Sequence, residues 1–184
     1  INSETPFLGK KFLSQEIKII LDSEFYKKKI TYLEFNNSID LYEKAAELIS
    51  QGKVIGWFQG KMEFGPRALG NRSILADPRN PEMKNIINRK IKRRESFRPF
   101  APSIIEEFQN EWFDTVYNNP YMSSLAHVKE DKKELIPAVT HIDGTARFQT
   151  VDIEKNPQFF GLLKSFYKLT GVPVLLNTSF NENE

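Results

Sequence analysis

Cysteine is absent from this 184-residue chain, and histidine occurs only twice. Without cysteine the chain cannot use a thiolate as a nucleophile, form disulfide bonds or bind zinc through sulfur. The two histidines, His127 and His141, are not spaced as a metal-binding pair, and His141 followed by Asp143 is a weak metal signature. We therefore expect this chain to hold no metal, and no Ser-His-Asp triad can be assigned from the sequence.

Long apolar runs are also missing. No stretch approaches the roughly 20 apolar residues that a membrane-spanning helix needs. The first residues, INSETPFLGK, do not have the pattern of a secretory signal peptide. We expect a cytoplasmic protein without membrane contacts. The chain does not begin with Met and stops at NENE, so we also expect it to be a fragment of a longer protein.

The positive charge of the chain is concentrated in one segment. Residues 61–98 contain eleven Lys or Arg and four Asp or Glu, a net charge of +7, although the whole chain has a formal net charge of only +2. This separation predicts an anionic partner at the basic segment. A solvated basic surface without a ligand is the other explanation of such a charge run.

The segment KMEFGPRALGNRSILADPR, residues 61–79, combines this charge with glycine and proline. It contains neither of the Gly-rich phosphate motifs, GxxxxGK(S/T) or GxGxxG. Its glycines and prolines predict a loop whose backbone can come close to a ligand, with Arg67 and Arg72 directed at a phosphate or carboxylate. The alternative is that these arginines pair with Glu63 and Asp77, and composition does not decide between the two.

Apolar spacing and helix-ending signals predict an alternation of helices and short strands. Predicted helices cover residues 38–52, with Ser38 as N-cap, then 80–91, 105–113 and 156–171. Predicted strands cover residues 30–35, 53–58, 97–104, 139–151 and 172–177. This pattern is typical of an α/β domain with an open sheet. We assign residues 1–36 to a linker or N-terminal extension and residues 37–184 to the domain.

Three further groups of polar side chains are candidates for a binding site. Lys92, Arg94 and Arg98 alternate, so in an extended segment they would share one face, although a solvated basic helix end is the simpler explanation. Arg147 follows a predicted turn at Asp143–Gly144 and is otherwise explained as a surface arginine. Short polar side chains directly follow an apolar strand, where they either hydrogen-bond a ligand or form an ordinary turn. These are Asn177, Thr178, Ser179 and Asn181.

Together, four segments resemble the C-terminal region of the O-carbamoyltransferases, a family that includes the nodulation-protein U, cephalosporin and tobramycin enzymes. The similarity runs from about residue 50 to the end of the chain, with the motifs in order and at matching spacing. The segments are GWFQGKMEFGPRALGNRSILADPR, INRKIKRRESFRPFAPS, HIDGTARFQTV and GVPVLLNTSFN.

The resemblance implies a two-part enzyme of which this chain is the second part. In the family, an N-terminal part with an actin/sugar-kinase-like fold holds a metal and transfers the carbamoyl group to a hydroxyl. The C-terminal part resembles the YrdC-like domain, an α/β domain with an open, twisted, mixed sheet and flanking helices, which makes an acyl-adenylate from ATP. We therefore expect the N-terminal part as the partner of this chain. Family members continue past NTSFN, so we expect the domain to be truncated at its C-terminus.

The resemblance also implies roles for individual residues. YrdC-like domains carry a Lys-x-Arg pair and a later Ser-x-Asn, which correspond here to Lys92 with Arg94 and to Ser179 with Asn181. Arg147 matches the arginine of the DGTARxQ motif, as a ligand of phosphate or of the carbamoyl group. We take Lys92, Arg94 and Arg147 as catalytic. The predicted ATP-binding residues are Arg67, Arg72, Asn177, Thr178, Ser179 and Asn181.

The implied reaction consumes carbamoyl phosphate and ATP, the latter accompanied by Mg²⁺. Loss of phosphate from carbamoyl phosphate leaves carbamate, and one carbamate oxygen attacks the α-phosphorus of ATP to give carbamoyl-adenylate and pyrophosphate. Preplaced cations and backbone N–H groups stabilise the negative charge that gathers on the phosphoryl oxygens. The Mg²⁺ would be held by phosphates and water rather than by the protein.

Two other functions fit the basic segment. With Phe64, Phe97 and Phe100 interleaved, residues 61–98 could follow the phosphate backbone of a nucleic acid, which is the main alternative. In a third interpretation the basic face only docks the N-terminal part of the protein. Convergence of residues near 93 and near 180 on one cation-rich cleft would favour the enzyme.

Overall fold

The computed structural model describes residues 5–182. Residues 1–4 of the predicted linker and residues 183–184 of the predicted domain lie outside that range. The helices are α1 (Ser14–Leu21), α2 (Glu24–Lys27), α3 (Ser38–Ser50), α4 (Met83–Ile87), α5 (Gln109–Trp112) and α6 (Pro157–Thr170). A π-helical turn, Asn88–Lys92, continues α4, and 3₁₀ turns cover Glu106–Phe108 and Glu130–Leu135. None of these helices is long and apolar enough to cross a membrane.

Within residues 5–182, eight strands form two sheets. The strands are β1 (Ile55–Phe58), β2 (Arg72–Ala76), β3 (Ala101–Ile105), β4 (Phe113–Asp114), β5 (Ala126–Val128), β6 (Thr145–Ala146), β7 (Gln149–Val151) and β8 (Val174–Ser179). The larger sheet has the order β1-β2-β8-β3-β7, in which only the β3–β7 pair is parallel. The smaller sheet, β4-β5-β6, is antiparallel. The prediction of an α/β fold with a mixed sheet is confirmed.

Helices α3 and α6 pack against each other and against strands of the larger sheet. Because apolar residues recur at helical spacing, α6 buries one continuous face in the core. That face consists of Phe159, Phe160, Leu162, Leu163 and Phe166. The predicted boundaries of α6 are confirmed, since the Asn156 side chain caps the helix by accepting from the Phe159 N–H, and Gly171 ends it with a left-handed φ of 73°.

The N-cap of α3 is Asn37 rather than the predicted Ser38. The Asn37 side-chain oxygen accepts a hydrogen bond from the Asp40 N–H at 2.9 Å, and Ser38 is the first helical residue. Both residues are common caps, so composition alone does not distinguish them.

We expect Asn37→Ala to lower the free energy of unfolding by about 1 kcal/mol, because the Asp40 N–H loses its acceptor. Ser38→Ala is the matched control and should change stability by much less. Urea unfolding of the two variants measures the difference. Equal losses, or a larger loss for Ser38→Ala, would show that the helix begins elsewhere.

Several predicted elements were wrong or incomplete. Residues 30–35 form no strand, since no strand in the described part of the chain pairs with them, and the predicted N-terminal extension instead contains α1 and α2. The predicted loop 61–79 contains β2, which pairs with β1 on one side and β8 on the other. The predicted helix 80–91 starts later, at Met83, with the Asn80 side chain accepting from the Glu82 N–H in the turn before it.

Two predicted strands also differ from the structure. The predicted strand 97–104 corresponds to β3, which begins later, at Ala101, and is an interior strand between β8 and β7. The predicted strand 139–151 is divided into β6 and β7, which belong to different sheets. The turn at Asp143–Gly144 is present, and Gly144 has a φ of 78°.

Candidate functional site

A cleft of about 340 Å³ opens where β8 ends. Four arginines line it, together with His141 and the polar end of β8, and within residues 5–182 no aspartate or glutamate does so. We call it the arginine cleft. The arginines are Arg67, Arg94, Arg98 and Arg147, and the β8 residues are Asn177, Thr178 and Ser179. Its apolar walls come mainly from Phe100, Met122 and Leu125. Such a lining favours a small ligand with several negative charges.

The four arginines are held to different degrees. Arg94 donates through Nε to Asn88 Oδ1 at 2.8 Å, and its guanidinium carbon lies 5.1 Å from the centre of the Phe100 ring. Arg98 pairs with the exposed Glu95 at 2.9 Å. Arg67 and Arg147 form no ion pair with a described residue, so their charge is available to an anion in the cleft.

The loop that carries Arg67 is organised by one buried carboxylate. Glu63 is only 8% exposed, and its Oε1 accepts from the N–H groups of Leu69, Asn71 and Arg72 at 2.7–3.1 Å. The alternative that Glu63 forms an ion pair with the arginines is therefore not what the structure shows. Asp77 does form an ion pair with an arginine, but its partner is Arg79 rather than Arg67 or Arg72. The distance from Arg79 Nη2 to Asp77 Oδ2 is 2.6 Å.

Buried amide side chains hold the same loop from the other side. Gln149 and Asn156 both donate to the Leu69 carbonyl, and Asn177 donates to the Ala68 carbonyl at 3.1 Å. Because these partners come from β7, β8 and the start of α6, the loop is fixed to three separate elements. Residues 66–68, which line the cleft, are thus placed by the folded core.

Lys92 lies behind the wall of the cleft rather than in it. It is fully buried, and its ammonium donates to the Ser179 carbonyl at 2.7 Å, to Ser179 Oγ at 3.1 Å and to Asn181 Oδ1 at 2.5 Å. The structure therefore brings together the Lys-x-Arg and Ser-x-Asn residues, although 87 positions separate Lys92 from Ser179. Their roles in catalysis stay predictions.

The local geometry at Lys92 differs from the extended segment that the alternation suggested. Lys92 ends the π-helical turn, and Arg93 has a left-handed φ of 48°. This change of direction sends the Lys92 side chain into the protein, while Arg94 reaches the cleft and Arg93 pairs with Glu182 on the surface at 2.7 Å.

The structure does not bring Arg72 to the arginine cleft. Its guanidinium donates to the carbonyls of Gln59 and Asn71 at 2.5 and 2.8 Å, and it stacks on Phe58 with 3.6 Å to the ring centre. Burial lowers the pKa of Arg72, and the charge of Glu63 opposes this effect. Asn181 is likewise outside the cleft lining, where it contacts Lys92 and Ser179. Arg72 and Asn181 instead line an adjacent pocket together with Arg67 and Ser179, and their roles in ATP binding stay predictions.

His141 is the cleft residue that sequence reasoning missed, since it was weighed only as a metal ligand. Burial lowers the pKa of His141, the positive charges of Lys84 and Arg147 lower it further, and Asp143 raises it. The predicted turn at Asp143–Gly144 could have indicated that His141 lies near Arg147. Because it reverses the chain, it returns Arg147 to the end of the domain where His141 lies.

The sequence model of the family described as carbamoyltransferase C-terminus matches residues 46–184. The chain belongs to the carbamoyltransferase C-terminus family. The resemblance seen in the four motifs is thereby confirmed, and the arginine cleft is a feature of a member of this family.

Relatives of this family member include nodulation proteins and a cephem O-carbamoyltransferase. The nodulation protein NolNO of Sinorhizobium fredii is 52% identical over 155 residues, covering 83% of this chain and 23% of that protein. The 3'-hydroxymethylcephem-O-carbamoyltransferase of Amycolatopsis lactamdurans is 42% identical over 142 residues, covering 77% of this chain and 27% of that protein. Nodulation protein U of Rhizobium tropici is 41% identical over 136 residues, covering 74% and 24%. The chain thus spans about a quarter of the length of these relatives.

The basic segment of this carbamoyltransferase-family domain does not form one continuous charged face. Arg72, Arg79 and Lys92 make intramolecular contacts, and Arg93 pairs with Glu182. These contacts reduce the charge that the segment can offer to a nucleic acid. Phe64 and Phe97 are exposed, as a stacking surface would require, but Phe100 is buried at 3% exposure.

Proposed function

We propose that this domain binds ATP and carbamoyl phosphate in the arginine cleft and forms carbamoyl-adenylate for transfer to a hydroxyl acceptor. The observation that carries the proposal is a cleft lined by four arginines, without a described carboxylate, in a member of the carbamoyltransferase C-terminus family. A relative whose name states O-carbamoyl transfer to a hydroxymethyl compound supports the same class of reaction.

The chemistry assigned to the cleft is the formation of a mixed anhydride. Water first hydrolyses carbamoyl phosphate to carbamate and inorganic phosphate. A carbamate oxygen then bonds to the α-phosphorus of ATP, and the bond from that phosphorus to pyrophosphate breaks. Negative charge gathers on phosphoryl oxygens in this step. Arg67 and Arg147, which have no described ion-pair partner, supply N–H donors and charge to these oxygens, and such preplaced donors stabilise the transition state.

Mg²⁺ enters this proposal as part of the nucleotide substrate. The described residues contain no group of three or more His, Cys, Asp or Glu that could hold a metal ion, and no described carboxylate lines the cleft. The phosphates of ATP and water are therefore the ligands that we assign to Mg²⁺.

The acceptor step requires a second part of the protein. Because the chain spans about a quarter of its relatives, we propose that a preceding part with an actin/sugar-kinase-like fold binds the hydroxyl acceptor. In this proposal the present chain is the YrdC-like part, and carbamoyl-adenylate passes from it to its partner.

We test the proposal with Arg147→Met and, as matched control, Arg89→Met, because Arg89 is exposed and lies outside the cleft lining. Calorimetry should show ATP binding that Arg147→Met weakens by roughly 10- to 100-fold, the worth of hydrogen bonds to a charged group. The chain should also release pyrophosphate slowly from ATP and carbamoyl phosphate, and Arg147→Met should slow this release, whereas Arg89→Met should change neither property.

Other results would favour the alternatives. Strongly salt-dependent binding to single-stranded nucleic acid, without ATP binding, would support the nucleic-acid module. Binding of neither ligand, together with binding of the separately produced N-terminal part, would leave docking as the function of the basic face.

A further inference from the structure

The ring of His141 is connected to a short chain of hydrogen bonds at the wall of the arginine cleft. Its Nδ1 lies 3.1 Å from Thr145 Oγ1, and Thr145 Oγ1 lies 2.7 Å from Asp143 Oδ1. Asp143 also accepts from the Thr145 N–H at 3.0 Å. Nδ1 therefore faces the Asp143–Thr145 turn, and the other ring nitrogen, Nε2, is the one without a described partner.

The hydrogen bonds of Thr145 determine which ring nitrogen of His141 carries a hydrogen. The pKa of Asp143 is lowered, chiefly by the hydrogen bonds from the Thr145 hydroxyl and N–H, so its carboxylate is ionised and accepts. The single hydrogen of the Thr145 hydroxyl is used on Asp143. The hydroxyl oxygen can therefore only accept from His141, and Nδ1 must carry a hydrogen. In neutral His141 the unprotonated nitrogen is Nε2.

The charges around His141 favour this neutral form as long as no anion is bound. Burial and the positive charges of Lys84, on α4, and of Arg147 lower its pKa, while Asp143 raises it. The other cations of the same cleft add to the positive field that an imidazolium would meet. They are Arg67, Arg94 and Arg98. A bound dianion would reverse this balance, because an opposite charge next to the imidazole favours its protonated form.

We propose that His141 is an anion ligand of the arginine cleft, and that Nε2 takes up one proton when a tetrahedral dianion such as a phosphate group binds. From dihydrogen phosphate the proton moves to Nε2 and leaves the hydrogen phosphate dianion beside an imidazolium. Sulfate carries no proton at neutral pH, so with sulfate the proton is taken up from the buffered solution. This inference deepens the proposed function by naming the ligand class and a proton-coupled ligand, and it concerns binding rather than the transfer step.

Calorimetry with sulfate and with inorganic phosphate tests the coupling. Because the pKa of His141 is lowered in the free chain and a bound anion raises it in the complex, sulfate affinity should fall by about tenfold per pH unit between the two pKa values. Phosphate affinity should change little over the part of this window below the second pKa of phosphate, because the dihydrogen anion brings its own proton. In His141→Gln the sulfate affinity should not depend on pH, and the phosphate affinity should rise with pH.

NMR of ¹⁵N-labelled imidazoles gives a second readout that needs no variant at the site. His141 should be the Nδ1–H tautomer in the free chain at pH 7 and an imidazolium in the presence of saturating sulfate. His127, exposed on β5 and outside the cleft lining, is the internal control whose signal should not respond to sulfate. His127→Gln assigns the two signals.

Three results would overturn the proposal: an Nε2–H tautomer, an unchanged His141 signal at saturating sulfate, or the same pH dependence in His141→Gln as in the natural chain. Failure of sulfate and phosphate to bind would also refute it. ATP binding with any of these results would refute the role of His141 while leaving the proposed function in place.

Discussion

Replacing Gly70 with alanine should lower the free energy of unfolding by about 2–6 kcal/mol. Gly70 has a φ of 101°, a region that costs an L-residue about 1–3 kcal/mol. A Cβ built on it would lie 2.2 Å from Cδ1 of Phe159, which is fully buried on α6. Forcing a methyl group into such a packed site costs typically another 1–3 kcal/mol. Urea unfolding measures the sum.

Gly65→Ala is the matched control in the same loop. Gly65 also has a positive φ, 126°, but a Cβ there would meet no atom within 4 Å. Its cost should therefore be the backbone strain alone, about 1–3 kcal/mol. Similar losses in the two variants would mean that the contact with Phe159 contributes nothing. An unchanged stability of Gly70→Ala would mean that the loop does not pack on α6 as described.

The Gly70 contact also matters for the site. The loop that passes Phe159 at Gly70 carries Arg67 into the arginine cleft, with Glu63 and the buried amides fixing its backbone. A methyl group at Gly70 must push the loop outward, so Gly70→Ala should weaken sulfate binding even under conditions where the variant remains folded. Gly65→Ala should disturb the cleft less, because its added methyl group has room.

The elements that were predicted correctly from the sequence have strong local signals. Helix α6 has an Asn cap, a first-turn proline, a periodic apolar face and a closing glycine, and all of these agree with one another. Strand β2 was not predicted, because its strand character depends on pairing with distant parts of the chain. The residues RSILA read as strand only if a partner on each side is known, and the preceding Gly and Pro signals dominated the segment.

The candidate site shows the same division between local and long-range information. The polar end of β8 was predictable from an apolar strand followed by short polar residues. The contact of Lys92 with Ser179 was suggested by the family resemblance, because a spacing of 87 positions carries no physical signal by itself. The burial of Lys92 depends on the π-helical turn and the left-handed Arg93, and no propensity rule predicts either for the residues NRKIKR.

Replacing Lys92 with methionine should reduce pyrophosphate release from ATP and carbamoyl phosphate by roughly 10²-fold, the scale of loss when groups of the site are displaced from their productive positions. Lys92 acts in this view as a positioning residue. Its ammonium fixes the carbonyl and hydroxyl of Ser179, which lines the cleft, and adds a positive charge behind the wall. Lys90→Met is the matched control, because Lys90 is exposed in the same π-helical turn.

The stability of Lys92→Met distinguishes the positioning role of Lys92 from a merely structural one. A fully buried ammonium pays a large desolvation cost, and its acceptors Ser179 and Asn181 are partly or fully exposed, so water can replace Lys92 as their partner. Methionine fills a similar volume without charge, and Lys92→Met should therefore unfold in urea within about 1 kcal/mol of the natural chain. If the variant loses activity and several kcal/mol of stability together, Lys92 holds the fold. If it keeps both, the buried charge is not used by the reaction. If the buried Lys92 serves the reaction, Lys92→Met should lose activity while its stability stays unchanged.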